Sequence, residues 1–179
     1  MTSSHHPNGA SRLQEVSETV HADFYIQLNG DEPLINKKAI EAVIPDFVPK
    51  DVEFGTNIIT DINDAAQVVD SSNIKMIFDS EYNALYMSRT PVPYPYKSIN
   101  FNYYKHVGII GYNKKMLDFY KNSVPGRFET IEGIDTLRFL DYGKQLKLFY
   151  VPGCNTLSVD TEKDLEIVKN IMKEMYDNE

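Results

Sequence analysis

The chain has 179 residues, 42% hydrophobic and 25% charged, enough for one domain over 1–179 with a sizeable core and too few for two. Its formal net charge of -8 excludes a protein that holds nucleic acid by a global basic field, because such proteins cluster Lys and Arg. An anionic ligand has to be met locally, by backbone N–H groups, a metal or a few cations, and arginine is confined to Arg12, Arg89, Arg127 and Arg138. Cys154 is the only cysteine, so there is no internal disulfide or Cys-based metal site, and a reducing cytoplasmic home is expected. Met1 to Leu13 is polar, without the apolar core of a signal peptide, and no later run reaches the length of a membrane span, so no membrane partner is expected.

Leu13, Val16 and Val20 recur at helical spacing after the Asn8-Gly9 break, which predicts a first helix over Ser11 to Thr19. A strand over Ala22 to Leu28 follows, then the acidic turn Asn29-Gly30-Asp31-Glu32-Pro33, then a helix over roughly Lys37 to Ile44. Phe54 to Thr60 reads as a strand and Ala65 to Val69 as a short helical piece. Ile74 to Phe78 and Ala84 to Met87 flank turn residues and predict a β-hairpin. Ser88 to Pro95 carries prolines in alternation and reads as a rigid extended connector outside any sheet. Val107 to Tyr112 is a short apolar run, read as a buried strand. Helices are predicted over Lys114 to Lys121 and Thr130 to Tyr142, and a strand over Leu146 to Val151. Thr161 opens a last helix with Asp164 three residues on, and Leu165, Val168, Ile171, Met172 and Met175 form its apolar face. Helix and strand alternate throughout, so the class is α/β.

Two acids stand out. Asp31 lies on a turn at the end of a strand, where the crevice of an α/β sheet binds ligands, although Gly, Asp and Pro also make ordinary surface turns. Asp160 lies just before a helix, where an acid also favours the helix dipole by about 0.3–1 kcal/mol. Taken together they have the makings of a Mg²⁺ site, since that ion is held by one or two carboxylates plus phosphate oxygens and water.

The motifs Asn8-Gly9-Ala10-Ser11-Arg12-Leu13, Asn29-Gly30-Asp31-Glu32-Pro33, Ala84 to Pro93, Lys105-His106-Val107-Gly108-Ile109, Thr136-Leu137-Arg138, and Val151-Pro152-Gly153 with Val159 to Leu165 run in one order along the chain. In that order they resemble the cytidylyltransferases that activate 3-deoxy-octulosonic and sialic acids, most closely the branch that makes CMP-Kdo. The resemblance implies a nucleotide-diphospho-sugar transferase-like, Rossmann-like mixed sheet flanked by helices. It implies in-line attack of an acidic sugar's anomeric hydroxyl on the α-phosphate of CTP, giving a CMP-sugar and pyrophosphate, with Mg²⁺ as cofactor. Asp31 and Asp160 then resemble the catalytic metal carboxylates. Asn8, Gly9, Arg12 and Asn29 resemble the nucleotide side, and Arg89 and His106 the sugar side, with His106 donating to a sugar hydroxyl. Arg138 is expected on a helix surface in a salt bridge. A homodimer and a role in lipopolysaccharide or capsule synthesis are implied by the family.

The chain departs from that pattern. The family's first βα units, with their Gly-, Arg- and Lys-rich triphosphate loop, have no counterpart here, so weak or no turnover of the isolated chain is expected, with a separately encoded N-terminal segment as a possible partner. Asn29 stands in place of a longer Gln, Ile110 in place of a tyrosine, and Ile131 to Thr136 lacks a Glu-Gln pair, so the sugar need not be Kdo. Two other readings are a non-catalytic remnant that dimerises or binds a partner, and a nucleotidyltransferase for a neutral sugar.

Overall fold

The computed structural model describes residues 1–35, 37–98, 100–154, 157, 159 and 161–177. Its elements in chain order are α1 (Gly9–Thr19), β1 (Tyr25–Leu28), α2 (Lys37–Ala42), β2 (Phe54–Ile62), α3 (Ala65–Val69), β3 (Lys75–Phe78), β4 (Ala84–Ser88), β5 (Tyr103–Tyr112), α4 (Lys114–Asn122), α5 (Arg127–Glu132), α6 (Leu137–Asp141), β6 (Gln145–Tyr150) and α7 (Glu162–Asp177).

Each element reflects its sequence, with some shifted boundaries. Asn8 caps α1 by accepting from the Ser11 N–H at 3.1 Å, and Asn113 caps α4 through Met116. The capping box at α7 forms as expected: Asp164 Oδ2 accepts from the Thr161 N–H at 2.9 Å, and Thr161 Oγ1 accepts from the Asp164 N–H at 3.2 Å. Of the expected apolar face of α7, Val168 is buried, whereas Leu165 and Met175 are exposed. The strand expected from Ala22 starts only at Tyr25, and the one expected from Val107 reaches back to Tyr103. One helix was expected over Thr130 to Tyr142; two are found. Gly133 adopts φ 63° and ends α5 with its N–H on the Glu129 carbonyl, after which Thr136 opens α6.

The sheet has the order β4-β3-β5-β2-β6, with β1 added on β5. β2 and β6 are parallel, whereas β5 runs antiparallel to β1, β2 and β3. β1 pairs with the last residues of β5, from Tyr25 opposite Tyr112 to Leu28 opposite Ile109, and β3 meets β5 at Lys75 opposite Lys105. β1 and β3 therefore run the same way beside β5, and between them residues 106–108 face a gap. Apolar side chains of β2 alternate sides: Ile58 packs with Ala39, Val43, Val107 and Ile109, and Ile59 with Met76, Met87, Leu137 and Leu148. A third cluster joins Ala10 of α1, Tyr25, Ile110, Tyr112, Leu117 and Phe139. Ile110, expected near a sugar, lies in this core.

The β2–β5 ladder slips in its middle. Asn57 pairs with Ile110 and Ile59 with His106, so one residue of β2 opposes three of β5. Such a bulge leaves buried carbonyls without backbone donors, each costing about 1–3 kcal/mol. The Asn57 amide repairs this, with Nδ2 donating to the Val107 and Ile109 carbonyls at 2.9 Å each. With both amide hydrogens spent, Asn57 Oδ1 can only accept, so the 2.7 Å contact to His106 Nδ1 is an N–H donated by the ring. His106 is then the neutral tautomer with Nε2 as an acceptor, and burial pushes its pKa down to about 4.

Arg138, expected on the surface, is buried. Its Nε and Nη2 donate to the two Glu129 carboxylate oxygens at 2.7 and 2.6 Å, and its Nη1 to the carbonyls of Tyr120 and Ser123 at 3.3 Å each. The guanidinium also lies 3.9 Å from the centre of the Tyr120 ring. The correction has a physical cause: the break at Gly133 folds α6 back on α5, so Arg138 turns inward onto Glu129.

Replacing Arg138 with Met strands the Glu129 carboxylate in the interior and is expected to lower unfolding free energy by about 3–5 kcal/mol in urea titrations. Adding Glu129→Met removes the stranded charge, and the double variant regains most of that loss. For His106, an unfolded histidine binds its proton near pH 6.5, whereas the folded one does so only near pH 4. Between these values the unfolded chain holds more protons, so stability falls as pH drops through that window. His106→Gln, which also offers an N–H to Asn57, is expected to flatten this fall, read as the change in urea midpoint between pH 7 and pH 5.

Candidate functional site

The gap beside β5 collects several of the residues singled out in the sequence. The Asn29 N–H donates to the Gly108 carbonyl at 3.1 Å, and the His106 N–H to the Ile74 carbonyl at 2.9 Å, so the two neighbours of β5 part company there. Gly108 leaves no room above its backbone in this arrangement: a Cβ would lie 2.0 Å from Glu32 Oε1 and 2.6 Å from Asn29 Nδ2 and would push both side-chain ends aside. Both side chains are thus laid over the bare backbone of β5, with Glu32 buried. Asn29 Oδ1 accepts from Gln27 Nε2 at 3.1 Å. Gln27 in turn packs on Gly9, where a Cβ would lie 2.5 Å from its amide nitrogen. Gln27 Oε1 is buried with no hydrogen-bond partner among the described residues. A polar row therefore runs from the start of α1 through Gln27 and Asn29 to the turn before α2.

Asp31 stands at the exposed rim of this row, and among the described residues its carboxylate has no hydrogen bond or ion pair. Its carbonyl accepts from the Val159 N–H at 2.8 Å, which ties the segment before α7 to the β1 turn. Asp160, the second expected carboxylate, lies outside the described residues. No group of three or more His, Cys, Asp or Glu that could hold a metal ion occurs among the described residues. An exposed carboxylate with nothing attached is nevertheless a donor suited to a hard cation, and Mg²⁺ takes one or two such ligands with water completing its shell.

On the other side of α1, a cavity of about 420 Å³ lies between Pro7 and Asn8 and the α5–α6 region, where Pro125, Glu129, Thr130, Gly133 and Asp135 line it. Burial raises the Asp135 pKa, and the nearby Glu129 charge adds to the rise. Asn8 Nδ2 donates to the Tyr120 hydroxyl at 2.7 Å. Arg12 is turned away: its Nη1 donates to Thr2 Oγ1 at 2.6 Å and the Ser3 carbonyl at 3.1 Å, folding the N-terminal segment onto α1.

Arg89 is tied into the protein. Nε donates to the Glu132 carbonyl at 2.8 Å, Nη1 to the Ser71 carbonyl at 2.9 Å and Nη2 to the Gly133 carbonyl at 3.3 Å. The Glu132 carboxylate accepts from the Arg89 N–H at 3.0 Å and the Ser88 hydroxyl at 2.7 Å. Against the pull of burial, these bonds hold its pKa below the ordinary value. Arg89 thus clamps the end of α5 and keeps two of its five N–H groups unspent. His106 has its Nδ1–H committed to Asn57, so toward a ligand it accepts rather than donates, which corrects the donor role expected from sequence.

The structure thus brings Asn29 and His106 to one gap, puts Asp31 on its rim and sets Asn8 and Gly9 at its α1 end. Arg12 and Arg89 point into local contacts. Gln27, Asn57, Glu32 and Tyr120 escaped the sequence reading. For Asn57 a signal existed: an amide in the middle of an apolar strand run is costly to bury unless it has work there.

The sequence model of a family described as Cytidylyltransferase matches residues 1–151. A 3-deoxy-manno-octulosonate cytidylyltransferase of Fusobacterium nucleatum is 35% identical over 176 residues, covering 97% of this chain and 71% of that protein. One of Escherichia coli is 33% identical over 179 residues, covering 99% of this chain and 72% of that protein. Among solved structures, a CMP:2-keto-3-deoxy-manno-octonic acid synthetase complexed with CTP superposes with a TM-score of 0.89 at 33% identity, over 98% of this chain and 72% of its own. With most of its length matched by the family model and its fold shared with that synthetase, the chain belongs to the cytidylyltransferase family.

Proposed function

We propose that this chain is a nucleotidyltransferase that moves CMP from CTP to the anomeric hydroxyl of an acidic 3-deoxy sugar of the Kdo type, releasing pyrophosphate. The observation that carries this reading is similarity, in sequence and fold, over nearly the whole of this chain and 71% to 72% of the length of 3-deoxy-manno-octulosonate cytidylyltransferases. In the reaction a bond forms between the sugar oxygen and the α-phosphorus while the bond from that phosphorus to the β-phosphate oxygen breaks. The hydroxyl proton passes to solvent. Such transfers are governed by positioning and electrostatics rather than by covalent participation of the protein.

In this reading Asn8, Gly9 and Asn29 meet the nucleotide through amide and backbone N–H groups, and Arg12 acts from the same helix by holding the N-terminal segment through Thr2 and Ser3. His106 Nε2, neutral and bare, accepts a hydrogen bond from a sugar hydroxyl, and its tautomer is held by Asn57. The two unspent N–H groups of Arg89 suit the sugar carboxylate. Asp31 is the residue that would hold Mg²⁺, with Asp160 as the second carboxylate; the ion, when bound, supplies positive charge against the phosphates.

The lone cysteine suits a reducing cytoplasmic setting. No helix among the described residues is long and apolar enough to cross a membrane. A homodimer belongs to the same reading, supported by the exposed Tyr94 and Tyr96 in the proline-rich connector. A role in lipopolysaccharide or capsule synthesis goes with the Kdo-type sugar.

Purified chain with CTP, Mg²⁺ and an acidic octulosonic sugar is expected to release pyrophosphate weakly in a coupled assay; release with a neutral sugar and none with any acidic one would sink the acidic-sugar assignment. Asp31→Asn is expected to lower kcat by about 10²-fold or more, because the phosphate charge loses its counter-charge. Arg89→Lys, which cannot reproduce the planar fork, is expected to raise KM for the sugar by about tenfold while leaving KM for CTP in place.

A further inference from the structure

The reading above leaves Tyr120 without a role, although it is tightly held. It is buried on α4, its ring is covered by the Arg138 guanidinium at 3.9 Å, and its hydroxyl accepts from Asn8 Nδ2 at 2.7 Å. Arg138 is itself fixed by both oxygens of Glu129 and by the carbonyls of Tyr120 and Ser123. The phenol is therefore a rigid post, set by an ion pair rather than by apolar packing alone.

What the post touches matters more. Asn8 is the N-cap of α1, with Oδ1 accepting from the Ser11 N–H at 3.1 Å. Among the described residues, Tyr120 is the one hydrogen-bond partner of its Nδ2. One end of the Asn8 amide is thus held within α1 and the other is held across to α4. Without the second contact the side chain would be free to trade its capping bond for solvent, and the first turn of α1 would lose its fixed geometry. Gly9, next in sequence, packs against the Gln27 amide, so the start of α1 is pinned at two points, one on β1 and one on Tyr120. Held this way, Asn8 keeps one amide hydrogen and one Oδ1 lone pair for the cavity it lines with Asp135.

We propose that Tyr120 is a positioning residue for the nucleotide end of the site: it orients Asn8, through its hydroxyl, so that the Asn8 amide and the first turn of α1 present a fixed set of polar groups to a cytidine nucleotide. This rests on the reading that places Asn8 at the nucleotide. Tyr120 itself need not touch the ligand. Its hydroxyl oxygen accepts from Asn8, and its ring is covered by Arg138.

The test is Tyr120→Phe, which keeps the ring and the Arg138 stack and removes only the oxygen that Asn8 reaches. Two quantities are read on the folded chain: CTP affinity by calorimetry with Mg²⁺, and amide hydrogen exchange of Ser11 by NMR. The expected result is about a fivefold rise in Kd for CTP together with several-fold faster Ser11 exchange, the size of one lost neutral hydrogen bond, and unchanged exchange at Leu117 within α4. A purely structural role would speed exchange across α4 and leave Kd unmoved at temperatures where the chain is folded. An unchanged Kd overturns the proposal, and so does a weakened Kd with Ser11 exchange at its original rate, since Tyr120 would then act by another route. Failure of the parent chain to bind CTP overturns the nucleotide reading itself, a result distinguishable from both.

Discussion

Asn57 makes it possible for the sheet to change register in the middle of its longest strand. One residue of β2 stands opposite three of β5, and the two carbonyls this would orphan, on Val107 and Ile109, both receive hydrogens from the Asn57 amide. The slip lies where β1 ends and β3 has not yet begun. A regular ladder would have carried β5 straight past that point. The bulged one leaves Gly108 bare enough for Asn29 and Glu32 to lie across it, and it turns His106 toward the one acceptor that fixes its tautomer. Fold and site therefore depend on the same side chain, and an apolar residue at 57 would cost the sheet two buried hydrogen bonds and the site its oriented imidazole.

The second constraint is charge. In a chain of net charge -8 with four arginines, three of them are already at work inside the protein. Arg12 folds the N-terminal segment onto α1, Arg89 clamps the end of α5, and Arg138 ties α6 to Glu129. Guanidinium groups suit such duty because a planar fork of donors satisfies several carbonyls or a whole carboxylate at once. On the proposed reading, the phosphates are therefore met largely by amide groups and a bound cation, with the partly spent Arg89 left for the sugar carboxylate.

Much of this was legible in the sequence, and the rest was lost for identifiable reasons. The segments with a clear period or cap, α1, the β3–β4 hairpin, α4 and α7, match the residues that predicted them to within a turn. α3 coincides with its expected range. The single helix expected over Thr130 to Tyr142 failed because helical spacing continues across Gly133; a glycine tolerated inside a helix and one that ends it look alike until the chain is seen to turn back. Arg138 was misplaced for the same reason, since only the folded α5–α6 pair turns it inward. Asp31 was singled out from turn chemistry at a strand end and Asn29 through the family resemblance, and the fold sets both at the gap. Gln27 and Tyr120 could not be found that way. Their importance comes from contacts across long sequence separations, Gln27 with Gly9 and Tyr120 with Asn8.

The placement of neutral and charged groups follows a single logic. The interior of the gap holds amides, backbone and an imidazole whose pKa burial holds near 4, which can be desolvated at modest cost, and beside them the buried Glu32 carboxylate laid over Gly108. The Asp31 carboxylate stays at the exposed rim, where water offsets its charge. A group that must meet both a cation and a phosphate is better kept there, because an uncompensated buried carboxylate would neutralise itself by taking up a proton. Asp135, which lines the neighbouring cavity, shows that tendency, with its pKa raised by burial. On the proposed reading, the rim is the place for phosphate and metal chemistry and the interior the place where sugar hydroxyl groups are read. That division follows from the cost of burying charge, applied to residues which the bulge at Asn57 has gathered.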